Sequence, residues 1–540
     1  MPFKHVQIYR VIAIAILLFS VVTNSRQGQS DEAVLHKIEA ADGTIKVEHI
    51  IRYVQSNYRF KTKTSLKLGA LALEQLRLNP NTDQASRLRS QLSRAYIYAG
   101  DFINAERLAN EAQVIAMRNN NIANRILANI VQADIAIRQV NLTQAKDILD
   151  TALADALTIN HLEHLASVST LSGKVHKDAL QYHISLKHYL NSLDYYTKLS
   201  DLAGISVAHQ NLASLYRWMG MYDKTLSHQQ KALSQALERS DKRALSIIYG
   251  NLGTYLKDVK KYQDAIQMHK KSLALKEELK YSFGILQTYN RLGHLYHLIE
   301  EYEQSLHYLN LAVTLASKLA IPNKLGSTFL DLGRVHRKMG NFNLAESYLN
   351  QSIQLYRGSH VEFRLAEVYL ALARLHAKNK TPNKAINDFH HGIDIALRYK
   401  REAVLVRLYA GLAKELKLIN NYEQALKYTN LQMSSKDLIT LRNNQTKVDA
   451  LLIEFDVAEK QRTIITLTQK NRINTLELEN RAFQQKVTVG SLLLASTLLF
   501  FLFFLHNKSK KIKIEQTALK QVNDVKERLS LALWGSRDEL

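Results

Sequence analysis

Apolar residues recur three and four positions apart along nearly the whole chain, and no stretch alternates apolar with polar residues as a half-buried strand would. The pattern predicts helices throughout and an all-α fold. Two runs depart from it because they are apolar on every side. Residues 11–22 form a twelve-residue apolar segment behind Lys4 and Arg10, ahead of the polar stretch 23–30. This is the form of a secretory signal peptide or an N-terminal anchor within residues 1–25. Residues 487–505 hold nineteen residues without a charge, enough as a helix to cross ~30 Å of hydrocarbon.

The flanks of the second run give it a direction. Lys508, Lys510, Lys511 and Lys513 follow it, whereas only Arg481 and Lys486 lie close before it. Cationic loops stay on the cytoplasmic side. The expectation is an inner (cytoplasmic) membrane protein, single-pass after signal cleavage. Its large region would be periplasmic or otherwise extracytoplasmic, and residues 506–540 a short cytoplasmic tail.

Comparison of the chain with itself exposes a second order. Small residues recur every forty positions at Ser93, Ala133, Gly173, Ala213, Gly253, Gly293, Gly333, Ala373 and Ala413. Nine residues after each stands a ring or its substitute: Phe102, Leu142, Tyr182, Tyr222, Tyr262, Tyr302, Phe342, Pro382 and Tyr422. Three further on is another small column, Ala105, Ala145, Ser185, Thr225, Ala265, Ser305, Ala345, Ala385 and Ala425, and a third runs from Ala112 to Gly392. Columns of this kind belong to two antiparallel helices per unit, whose backbones approach where side chains are small.

The slots resemble those of the tetratricopeptide repeat, as in residues 251–278 with Gly253, Tyr262, Ala265 and Ser272. The unit is forty residues rather than the family's usual thirty-four, and the proline near the end of the second helix is missing, so helices about a turn longer are expected. The resemblance implies a superhelical solenoid of nine units over residues 86–435, behind a degenerate helical cap at 31–85. It also implies that the first helix of each unit lines a groove for protein or peptide partners. The residues one and four after the first small column then face that groove, across units three to nine Lys174 and Lys177, Ser214 and Arg217, Thr254 and Lys257, His294 and His297, Arg334 and Arg337, Arg374 and Ala377, Lys414 and Lys417. Nine are Lys or Arg and none is acidic. Such a stripe favours anions, whether a terminal carboxylate, an acidic peptide or an anionic polymer.

Charge and composition narrow the rest. A formal net charge of +23 would suggest nucleic acid, but a domain outside the cytosol argues against that partner. With no cysteine there is no disulfide framework, thiolate metal site or thiol nucleophile. His294 and His297, one helical turn apart, lack a third ligand, and no metal or cofactor is assigned. His176, His336 and His376 share a column with Tyr96, Tyr216 and Tyr296 and are expected in the core, while His161, His164, His390 and His391 are expected at the surface.

Beyond the repeats, residues 436–486 read as one long charged helix. Leu441, Val448, Phe455, Leu476 and Phe483 keep one seven-residue phase, interrupted by Arg462 and Gln469, which predicts a coiled-coil-like stalk and a homodimer through it. The stalk, span and tail, with residues 525–540 similar to the opening of a PAS domain, resemble the input half of bacterial membrane sensors. In those, an outer tetratricopeptide domain precedes a cytoplasmic diguanylate cyclase, phosphodiesterase or histidine kinase. The chain itself carries no GGDEF-type turn, phosphate-cradling glycine loop, nucleophile elbow or HExxH. The expectation is therefore a non-enzymatic input module for signal transduction. An envelope assembly scaffold and a fragment of a longer signalling enzyme are the alternatives.

Overall fold

The computed structural model of the chain describes residues 31–359 and 361–534; the signal or anchor segment at 1–25 lies outside the described residues. Those residues are all-α, without a strand, as the period had predicted. Three helices form the cap, α1 (Asp31–Ala40), α2 (Gly43–Asn57) and α3 (Thr62–Gln75). The first eight pairs are α4 (Asp83–Ala99) with α5 (Phe102–Arg118), α6 (Ile122–Arg138) with α7 (Leu142–Thr158), α8 (Leu162–Asp178) with α9 (Tyr182–Lys198), α10 (Leu202–Trp218) with α11 (Tyr222–Glu238), α12 (Lys242–Asp258) with α13 (Tyr262–Glu278), α14 (Ser282–Leu298) with α15 (Tyr302–Lys318), α16 (Pro322–Met339) with α17 (Phe342–Tyr356), and α18 (Leu365–Lys378) with α19 (Pro382–Arg398). The ninth pair is α20 (Glu402–Leu418) and the start of α21 (Tyr422–Trp534).

The forty-residue period is two near-identical halves. A seventeen-residue helix and a short turn recur, so that α8 ends at Asp178 and α9 begins at Tyr182, and α9 ends at Lys198 with α10 beginning at Leu202. The aromatic column supplies the opening residue of the second helices. Each turn contains a left-handed residue, at Gly100, Gly220 and Gly340, but also at Val140 (φ 64°), Leu180 (φ 60°) and Glu300 (φ 63°). Side chains other than glycine are disfavoured there. They are held by paired carbonyls: the Asp101 N–H donates to Tyr96 O and the Gly100 N–H to Ile97 O, and this two-bond closure recurs down the array. Short polar residues then start several following helices, as Asp101, Asn121, Asn141, Asp201 and Asp241 accept from backbone N–H groups in the first turn. The regularity lapses once. Gly358 takes the left-handed conformation early (φ 68°), α17 stops at Tyr356, and a 3₁₀ turn at Glu362–Arg364 precedes α18.

Within each pair the small columns are points of backbone approach. A β-carbon on Gly293 would stand 2.7 Å from Leu309 Cδ2, one on Gly253 2.7 Å from the His269 ring, and one on Gly333 2.6 Å from Leu349 Cγ. The second column adds a hydrogen bond at the same place: the Ser185 hydroxyl donates to Gly173 O at 2.6 Å, and Ser305 to Gly293 O at 2.7 Å. The third column ties the far end of the pair, where Ser272 donates to Ser246 O and Ser352 to Gly326 O. Ring stacks fill the remaining space, with Tyr216 on His228, Tyr296 on Tyr308 and His336 on Tyr348. His336 and His376 are core residues as expected, and His176 stacks on His188. Of the histidines expected outside, His161 and His391 are exposed, whereas His164 and His390 are half-buried against His161 and Tyr428.

First helices touch the first helices of neighbouring units along most of the array, including α4 on α6, α6 on α8, α16 on α18 and α18 on α20. Second helices do not meet one another to a comparable degree. In a curved stack the crowded layer is the inner one, so the first helices form the concave wall.

The chain divides into two units, one reaching Ile453 and the other running from Glu454. In the first, α21 continues past the ninth pair and seats Ala450, fully buried, among Leu186, Tyr189, Leu215, Tyr216 and Met219 of the third and fourth pairs. The second unit is helical from Glu454 to Trp534 and almost wholly exposed, and includes a stretch long and apolar enough to cross a membrane.

Replacing Gly293 by Leu forces a side chain into the α14–α15 contact. The expected result is a loss of ~1–3 kcal/mol, read by thermal or urea unfolding. An unchanged midpoint would contradict the close-approach assignment.

Candidate binding groove

The first helices carry the cations expected in the groove, and this row divides into two parts. In the first part neighbouring carboxylates neutralise them. Lys174 Nζ lies 2.7 Å from Asp134 Oδ1, and Asp134 is also held by Arg138 at 3.1 Å. Although burial works against it, these two cations keep the Asp134 carboxyl well below the usual range. Lys177 pairs with Asp178 at 3.4 Å, and Arg217 and Lys257 share Asp258 at 2.5 and 3.1 Å. Arg334 is held by Asp331 at 2.9 Å and Glu367 at 3.8 Å.

The second part is different. Among the described residues no carboxylate pairs with Arg337, Arg374, Lys414 or Lys417, and the last three are exposed. The Nε of Arg337 is buried without a hydrogen-bond partner. Arg407, on the same first-helix layer, is a further exposed guanidinium whose Nε donates only to Ala403 O of its own helix. The His294 and His297 rings lie 6.5 Å apart. Burial, helped by His294, pushes His297 down to about 4, and burial lowers His294 too, so both are neutral at pH 7. No group of three or more His, Asp or Glu suited to a metal occurs among the described residues.

The columns one and four after the small residues omit another set of cations. The turn between α2 and α3 reaches across to the fifth and sixth pairs: Arg59 Nε donates to the Tyr281 hydroxyl at 3.0 Å, and Arg243 donates to Ser56 O and Asn57 Oδ1. Arg59 sits amid the rings of Phe60, Tyr98 and Tyr281, and Arg138 lies 4.8 Å from the Tyr98 centroid. The array curves far enough for its cap to touch a unit 222 residues on. Nearby, Lys276 is 5% exposed and donates to Thr288 Oγ1 at 2.8 Å. Burial, reinforced by Arg291 and Arg59, pushes its ammonium down to about 7. Burial together with Arg364, Arg291 and Arg138 brings Lys324 down to about 8. Arg291, two residues before the small residue Gly293, donates to Gly250 O at 3.3 Å. Its offset column mixes Gln91, Asn211, Asn251 and Asp331 with Val131, Leu171, Ala371 and Gly411, so no uniform column marked Arg291 in the sequence, and none marked the Arg59 contact.

The tetratricopeptide repeat family model matches residues 203–278 and 284–358. These segments are tetratricopeptide repeats. Comparison with curated proteins returned no match. Among solved structures, the Rap protein complexed with competence and sporulation factor is 16% identical, covering 76% of this chain and 99% of that one with a TM-score of 0.45. Aspartyl phosphate phosphatase F from Bacillus subtilis is 14% identical over 77% of this chain and 96% of its own, TM-score 0.43. The apo form of the quorum sensor NprR from B. thuringiensis is 12% identical over 73% and 100%, TM-score 0.42. Likeness at this level says nothing of function.

Lys276 generates a pH dependence. The unfolded chain keeps this proton to its ordinary value near 10.5 and the folded chain releases it near 7. Between those values the unfolded state binds more protons, so stability rises with pH; below 7 the penalty of burying the ammonium is fully present. Lys276→Met should raise the unfolding midpoint at pH 7 and flatten the gain seen between pH 7 and 9, which for one group is at most ~1.4 kcal/mol per pH unit. Thr288 keeps its bond to Gly284 O and is not orphaned. Parallel wild-type and variant curves would contradict the buried-cation assignment.

Proposed function

We propose that the chain is the extracytoplasmic input module of a membrane-anchored signalling protein, which binds an acidic peptide or protein segment in the groove of its first helices. The observation that carries the reading is the inner wall itself, cationic from Lys174 to Lys417 and without acidic partners at its C-terminal end. Cations in a concave wall focus potential and draw anions toward it.

The apolar run at 487–505 and the lysines after it support placing the repeats outside and the tail inside. A homodimer through the stalk is supported by Phe455, Leu476 and Phe483, which hold one heptad phase and are 69%, 54% and 64% exposed in the single chain. A polar helix of this length gains stability by pairing such a seam. Signalling through it requires that the ligand bind one arrangement of the dimer better than another. No catalytic step is assigned to this chain.

The test uses the full chain in lipid nanodiscs and fluorescein-labelled hexaglutamate or hexaglutamine. Hexaglutamate is expected to raise anisotropy at low ionic strength and to lose most of that binding at about 0.5 M salt, where the screening length falls to a few ångströms. Equal binding of hexaglutamine, or none of hexaglutamate, would refute the anionic-ligand reading.

A further inference from the structure

The groove reading leaves open where on the wall the acidic ligand is gripped. We propose that Arg337, Arg374 and Arg407 form one seat for neighbouring carboxylates of an acidic peptide. This rests on the groove reading and sharpens it.

The three arginines come from successive first helices, α16, α18 and α20, and each of these helices packs against the next. None has a carboxylate partner among the described residues. Arg337 has a buried Nε with no hydrogen-bond partner, and the Nε of Arg407 reaches only a carbonyl of its own helix. The nearby cation Arg334 is already held by Asp331 and Glu367. Upstream the same wall solves the same problem with its own acids, Asp134 for Lys174 and Asp258 for Arg217 and Lys257. At this end of the wall the guanidiniums of Arg337, Arg374 and Arg407 form no ion pair among the described residues. Burial and the nearby Arg407, Arg337 and Arg334 disfavour the Arg374 charge, whereas for Arg407 burial comes first and the attraction of Glu367 exceeds the repulsion of Arg334. An incoming carboxylate relieves that repulsion and accepts two parallel N–H bonds from each guanidinium fork it meets.

The spacing selects an extended chain over a compact anion. Helices in contact pack with axes ~8–10 Å apart, so three successive helices cover about two such steps. An extended peptide repeats its side-chain direction every ~7 Å, which brings acidic groups two residues apart to adjacent guanidiniums. A pyrophosphate ion is too short to engage all three.

The experiment compares Arg374→Gln/Arg407→Gln with Lys384→Gln/Lys427→Gln in the full chain in nanodiscs, using labelled hexaglutamate. The arginine pair is expected to lose more than about tenfold in affinity, and the lysine pair, exposed on second helices away from the wall, less than about threefold. The arginine variant should melt no lower than wild type, because burial disfavours both charges. If it melts lower, Arg374→Lys/Arg407→Lys keeps the charge and removes the fork: reduced affinity then supports the seat, and wild-type affinity overturns it. Wild-type binding in the arginine variant would leave the groove reading intact and refute the seat, as would an equal loss in both variants. Inorganic pyrophosphate displacing hexaglutamate at equal charge concentration, with the same dependence on Arg374 and Arg407, would also refute it. Absence of hexaglutamate binding to wild type refutes both readings.

Discussion

Two helices can lie backbone against backbone only where one of them offers almost no side chain, and this architecture depends on that contact being repeated. Gly173, Gly253, Gly293 and Gly333 each face a bulky residue sixteen positions on, with no room for a β-carbon between. Serines at the second column donate into the carbonyls of that first column, so the closest point of each pair is also hydrogen-bonded. Because this contact sits at the same height in the pairs, successive pairs stack in register and a seventeen-residue helix becomes the natural length. The packing crowds the first helices and splays the second, which curves the stack and creates a wall.

The wall then concentrates charge. A lysine or arginine on one first helix faces equivalents above and below it, so a column bias in the sequence becomes a field in space. Part of that field is cancelled locally by Asp134, Asp258 and Asp331, and part is buried beside the cap, where Lys276 donates to Thr288 and Lys324 and Arg59 lie over aromatic rings. Cations over ring faces recover part of the lost hydration, about 0.5–2 kcal/mol each. The cap contact, Arg59 on Tyr281 and Arg243 on Asn57, gives the curve a fixed closure.

The fold was legible because a repeat writes the same physics nine times: any one glycine is ambiguous, but a column of nine small residues at a constant spacing is not. The same columns placed Lys174 and Arg334 on the first helices of their pairs, where the structure has them. Pairing could not be read: Asp134 stands one after Ala133, in the column of Lys174 and one unit earlier, Asp258 lies outside both offsets, and the reach of either toward Lys174 or Arg217 depends on the stagger between units. Arg407 was missed because it lies two turns before its small residue, and inter-unit stagger brings it beside Arg374. The Arg59 closure spans five units and depends on accumulated curvature, which no local pattern encodes. The seat of Ala450 was likewise invisible, because it joins α21 to the third and fourth pairs far back in the chain.

The functional account requires the cationic wall and the lysine cluster after the span to lie on opposite sides of a bilayer. The natural chain has no cysteine, so single Lys414→Cys and Lys508→Cys variants report their own compartments cleanly. In intact cells a membrane-impermeant maleimide should label the first directly and the second only after permeabilisation. Labelling of the second but not the first in intact cells would place the groove in the cytosol and contradict the account.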